Sequence, residues 1–197
     1  MRPGAALARE HALADYRAAC AASPAAAAAV RGAVYVETDR RRGGGAGVRE
    51  WAAGPLAELA DLRAVVEGAG DGGFVRGVVA WAPVDRGGGA FEEYVREAER
   101  VAGPAVWARV VGFRFLLQGI AGRARFSEVA LSEGCVGVLR GFGARWCFDV
   151  GVDQRGGGVW QVETAVEMVE RVREGAEGKE VRFILSMFDR CVCVCAM

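Results

Sequence analysis

The 197-residue chain carries 25 basic and 25 acidic residues, a formal net charge of zero, and 52% hydrophobic residues. That composition supports one domain with a sizeable core, and the balanced charge gives no footprint for nucleic acid or an anionic membrane surface. No apolar run approaches the roughly 20 residues needed to span a bilayer.

Residues 5–20 set Leu7, Leu13, Tyr16 and Cys20 among polar positions and predict a helix. The Ala-rich stretch Ala18–Val30 imitates a signal sequence, but it follows Glu10 and Asp15 and is broken by Ser23-Pro24, so no secretory signal is expected. Ala33–Val36 reads as a buried strand, and Leu56, Leu59, Ala60, Leu62 and Val66 predict a helix after Gly54-Pro55. Phe74–Trp81 is the second strand. Phe91, Tyr94, Val95, Ala98 and Val101 form one apolar helical stripe. Val110–Leu117 is the third strand. A weaker helix over 126–142 is diluted by Gly134, Gly137 and Gly141. Cys147–Val152 is the fourth strand, Val159, Val162, Val166, Val169 and Val172 form a second helical stripe, and Val181–Leu185 is the last strand.

Strands alternating with helices favour a parallel sheet, and strand runs without polar alternation fit a sheet buried on both faces. The expected fold is therefore α/β: five parallel strands in sequential order, with helices on one side. Three strand-to-helix loops carry Asp, Arg and a glycine triplet, at Gly43–Gly45, Gly87–Gly89 and Gly156–Gly158. None matches a complete phosphate-binding motif, so they are read as flexible loops, and a doubly wound nucleotide-binding fold is the weakest alternative. Cys20, Cys135 and Cys147 are scattered among apolar residues and read as reduced core thiols of a cytoplasmic protein.

Chemistry in parallel α/β folds collects where strands end. The candidate substrate-binding residues at that edge are Glu37 and Asp39 after the first strand and Asp85 after the second. The third supplies Arg114 and Gln118, the fourth Asp153 and Arg155; Asp149 also lies within the fourth. Carboxylates and guanidinium groups meeting in a concave site bind an acidic or polyhydroxylated small molecule. The competing explanation is a salt-bridged rim that only satisfies buried charge.

The segments Val34-Tyr35-Val36-Glu37-Thr38-Asp39, Gly77–Asp85, Val111–Gly119, Phe148–Arg155 and Val159-Trp160-Gln161 occur in an order that resembles the amidohydrolase-related family. They are most similar to its fungal members like L-rhamnono-gamma-lactonases. The resemblance covers roughly residues 11–185 and implies a TIM-type (β/α)8 barrel that hydrolyses a lactone or related cyclic C–O or C–N bond with activated water. It also implies a divalent metal such as zinc in intact relatives.

Two departures qualify it. The family's first strand carries a His-x-His metal pair, whereas the only histidine here is His11, in a helical stretch. After Val181–Leu185 the family continues with an Asn/Asp-His pair, whereas this chain runs through Ser186-Met187-Phe188-Asp189-Arg190 into Cys191, Cys193 and Cys195. Those alternating cysteines match no standard zinc spacing.

The expectation is thus a partial, open barrel over residues 1–186, with strands resembling the second to sixth of eight. Residues 187–197 would be a non-family Cys-rich tail, read as a product of a gene-model error. No metal or other cofactor is expected in this chain. The expected function is a hydrolase by ancestry that is inactive by itself; the alternative is a non-catalytic binding module for a sugar acid or lactone. The expected partner is that small molecule, with no nucleic acid or membrane partner and with self-association through exposed strand edges.

Overall fold

The computed structural model describes residues 12–68, 73–153, 158–174 and 180–187. Helices α1 (Leu13–Ala21) and α2 (Pro24–Ala29) precede strand β1 (Ala33–Val36). Helices α3 (Val48–Trp51) and α4 (Ala53–Glu67) lead to β2 (Val75–Trp81). A 3-10 turn (Val84–Arg86) opens into α5 (Gly88–Trp107), followed by β3 (Val110–Phe115). A second 3-10 turn (Leu117–Gly119), α6 (Arg123–Ala130) and α7 (Glu133–Phe142) precede β4 (Cys147–Val152). Helix α8 (Val159–Glu174) and strand β5 (Arg182–Met187) complete the described elements.

All four strand pairings are parallel, and the five strands lie in sequential order in one open sheet. The sheet has two unlike faces. Tyr35 pairs with Val78, Ala80 with Phe113, Phe113 with Phe148, and Phe148 with Phe183. All of these join the main hydrophobic core. Alternate positions put Val34 beside Gly77, Arg114 beside Asp149 and Asp149 beside Ile184 on the opposite face. There Val34, Val111 and Ile184 are 43–49% exposed. The helices thus pack against one face, because only that face offers a continuous apolar surface.

Phe113 is the hub of that core. Its ring lies 5.4 Å from Phe91, 5.4 Å from Phe142 and 5.0 Å from Trp146. Across the sheet, Gly112 sits against Cys147, where a Cβ would collide with the thiol and carbonyl oxygen. Helix α5 supplies Phe91, Tyr94 and Ala98 to the core, as its apolar stripe predicts. It is kinked at Gly103, whose φ of +68° disfavours any side chain; Pro104 then restarts the helix without needing an N–H partner.

Several local expectations are corrected. The single helix over 126–142 is two, because Ser132 caps α7 by accepting a hydrogen bond from the Cys135 N–H at 3.0 Å. Gly54 and Pro55 lie inside the first turn of α4, where proline costs no hydrogen bond. Gly88 and Gly89 open α5 instead of forming a loop. The valine stripe on α8 holds in part: Val162, Val169 and Val172 pack on the core side, whereas Val159 and Val166 are 64% and 51% exposed. Gln161, Thr164, Ala165 and Met168 are buried alongside Val172. Two of those are polar and still fit, because the Gln161 side-chain oxygen accepts from the Asp153 N–H and the Thr164 hydroxyl donates to the Trp160 carbonyl.

Cys135 and Cys147 are buried, and burial pushes the Cys135 thiol up to about 12. Cys20 departs from the core expectation: it is half-buried, on a helix with no buried residue. His11 and the cysteines at 191, 193 and 195 lie outside the described residues.

Candidate functional site

At the C-terminal end of the sheet, three strands bring charged groups together beneath the rim. Glu37 directly follows β1, Arg114 lies in β3 and Asp149 in β4. The Arg114 Nε donates to Glu37 Oε1 at 2.6 Å, and its Nη2 donates to the Glu37 backbone carbonyl. Its Nη1 faces Asp149 Oδ2 at 3.9 Å. All three residues are buried. The chain folds this way because the β1–β2–β3 register carries Glu37 to the Arg114 level: the Glu37 N–H donates to the Val79 carbonyl and the Ala82 N–H to the Arg114 carbonyl.

Burial holds the Glu37 carboxyl above its ordinary value, although the Arg114 guanidinium and the Asp39 N–H pull it down. That N–H reaches Glu37 Oε2 at 2.6 Å, and Asp39 adopts a left-handed φ of +53°. A second buried carboxylate, Glu58 on α4, accepts from the Tyr35 hydroxyl, the Thr38 N–H and the Thr38 hydroxyl at 2.6–2.8 Å. Together these bonds clamp the end of β1 between helix α4 and strand β3. The fully buried Tyr94 hydroxyl has no hydrogen-bond partner, and burial raises its pKa, with the Glu58 and Glu37 charges adding to the shift.

The other candidates sit around this cluster. Asp85 in the first 3-10 turn pairs with Arg42 at 3.0 Å. The Arg42 guanidinium also lies 5.5 Å from the Phe115 ring and 5.9 Å from Trp81, closing the rim over β2 and β3. Gln118 lies in the second 3-10 turn, its side-chain oxygen buried without a hydrogen-bond partner. Asp153 follows β4, anchored through its N–H to Gln161 at 2.8 Å. Arg155 lies outside the described residues. The structure thus joins Glu37, Arg114 and Asp39 directly, and Asp85, Gln118 and Asp153 occupy neighbouring loops.

Glu58 and Tyr94 were not among the sequence candidates, and Asp149 was noted only as part of its strand. Asp149 is the one charged residue in the otherwise apolar run Cys147–Val152, which is the signal for it. Glu58 stands three residues after Pro55 and four before Leu62, on the buried stripe of α4; a carboxylate on an apolar stripe implies buried partners.

Fold and site define an open parallel α/β domain with a buried carboxylate–guanidinium–carboxylate cluster at the strand ends. No family model, curated protein or solved structure matches this chain. Among the described residues, no helix is long and apolar enough to cross a membrane, and no group of three His, Cys, Asp or Glu side chains converges as a metal site.

Proposed function

We propose that this sheet edge is the ligand-binding edge of an amidohydrolase-type partial barrel, from a hydrolase class that opens a lactone or related ring with activated water. The cluster of Glu37, Arg114 and Asp149 carries the reading. Each of the three falls within a segment that resembles the family, at the strand ends where parallel barrels place their chemistry. A small-molecule ligand and a cytoplasmic setting belong to the same reading, the latter supported by the free buried thiol of Cys135.

The residues present do not fit the divalent metal that the resemblance implies. The Glu37 carboxylate is already taken by a guanidinium and a backbone N–H, Arg114 places a cation among the carboxylates, and the sequence holds one histidine. No step is therefore routed through a metal. Within the cluster Glu37 is held by Arg114, so a free general base is not at hand.

The expected outcome for the purified 197-residue chain is ligand binding without turnover. Lactone ring opening, followed in a pH-stat with and without added zinc or manganese, stays at background. A rate above background that disappears in Asp153→Asn would overturn this. The engagement of Glu37 also favours the second reading, a non-catalytic binding module.

The open sheet carries a further expectation. The outer edges of β1 and β5 lack a strand neighbour among the described residues, and Val34, Ile184 and Leu185 on those strands are 45–54% exposed. Exposed parallel edges template pairing with another chain. Light scattering after size exclusion should show concentration-dependent association; a monomer at every concentration would contradict it.

A further inference from the structure

We propose that β1 is a latched edge strand: together with Glu37 it leaves the sheet as a unit while β2, β3 and β4 stay folded, and Glu58 is the latch. Release uncovers the edge of β2 and the Arg114 guanidinium. The inference concerns how the cluster opens and does not depend on what binds there. β1 lies at one end of the sheet, and none of its four residues is fully buried. Its neighbour β2 is buried at six of seven positions, and β4 at all six. Tyr35 packs half-buried against the main core, so β1 brings one aromatic ring where β3 brings both Phe113 and Phe115.

Beyond the ladder to β2, polar groups hold the strand and its end. The Tyr35 hydroxyl, the Thr38 N–H and the Thr38 hydroxyl all donate to one oxygen, Glu58 Oε1, at 2.6–2.8 Å. Glu58 sits on α4, which Leu56, Leu59, Leu62 and Val66 fix in the core. Arg114 of β3 holds Glu37 through its carboxylate and its backbone carbonyl. When the strand leaves, water replaces these bonds, and Glu37 and Arg114 regain the hydration that burial removed. Lost apolar burial has no such replacement. The backbone is set for release as well. Asp39 holds a left-handed φ of +53°, which disfavours a residue with a side chain and relaxes once Glu37 is free. Residues 38–47 are all exposed and give the strand end slack. Arg40 and Arg42 tether them to Asp61 and Asp85 through surface ion pairs, which add little.

The test is amide hydrogen exchange on the full chain, resolved by NMR and divided by each residue's unstructured rate. The Ala33 and Glu37 N–H groups bond Phe74 and Val79 across the β1–β2 ladder. The Val78 and Ala82 N–H groups bond Arg109 and Arg114 across the β2–β3 side. Ala33 and Glu37 are expected to exchange at least about tenfold faster than Val78 and Ala82. Equal protection at all four would make the sheet one cooperative unit and overturn the proposal. Two variants sharpen the result. Phe142 packs against Phe91, Phe113, Trp146 and Phe148, all in the part that stays folded. Phe142→Leu should therefore speed Val78 and Ala82 and leave Ala33 and Glu37 within about twofold of wild type; a common rise at all four sites counts against a separate unit. Tyr35→Phe deletes one bond to Glu58 and should speed Ala33 and Glu37 by about tenfold. Unchanged rates at those two amides would overturn Glu58 as the latch. The wild-type comparison decides the matter even if Phe142→Leu does not fold.

Discussion

Replacing Arg114 with methionine is expected to lower folding stability by about 3–5 kcal/mol, the usual cost of removing one partner from a buried ion pair. The loss comes less from the missing bond than from what remains. Glu37 and Asp149 stay buried, and the Glu37 carboxylate loses its guanidinium and keeps the Asp39 N–H. Urea unfolding followed by tryptophan fluorescence measures the change. A cost below about 1 kcal/mol, the value of an exposed pair, would mean that the cluster is open to water.

Glu37→Gln should cost less, because a side-chain oxygen can still accept from Arg114 Nε. Its pH signature is the sharper readout. Burial sets the folded Glu37 pKa above the unfolded one. Between the two values the folded chain holds a proton that the unfolded chain has lost, so stability falls as pH rises through that window. Glu37→Gln should remove this slope, measured as the change in unfolding free energy with pH on the acid side of neutrality. A slope that survives the substitution would assign it to another group.

The fold was legible because it rests on alternation. Five apolar runs separated by helical patterns gave strand positions within a few residues, and β4 matched Cys147–Val152 at both ends. The strict Phe91–Ala98 stripe found its buried face because aromatic residues leave little choice of direction. The α8 stripe misled only at Val159 and Val166, because its spacing drifts off the buried face on which Gln161 bonds the β4 loop. The boundary between α6 and α7 turned on one serine cap, a signal weaker than the glycines around it.

The site was legible only in part, for a physical reason. Polar residues at strand ends mark the rim, so Glu37 and Arg114 could be nominated one by one. Their pairing spans 77 positions of sequence and depends on the sheet register, which no local pattern encodes. Glu58 reaches the same strand end from a helix 20 residues beyond Thr38. Which carboxylate meets the guanidinium is thus a property of the sheet, and the sequence offers only the candidates.

Phe113→Ala should match the Arg114 substitution in cost, at about 3–5 kcal/mol, for an unrelated reason: a large buried ring leaves a cavity that its neighbours only partly fill. Phe113 is fully buried among Phe91, Trp107, Phe142 and Trp146, rings that come from two helices, their ends and the loop before β4. Collapse around the gap would have to move several elements at once, which keeps the cavity open and the penalty high. Val111, two residues earlier, gives the contrast. It is 43% exposed, and Val111→Ala should stay within about 0.5 kcal/mol of wild type. Both are read from denaturant midpoints at constant m-value. Similar losses for the two would show that the second face is covered as well, and the sheet would then be packed on both sides instead of one.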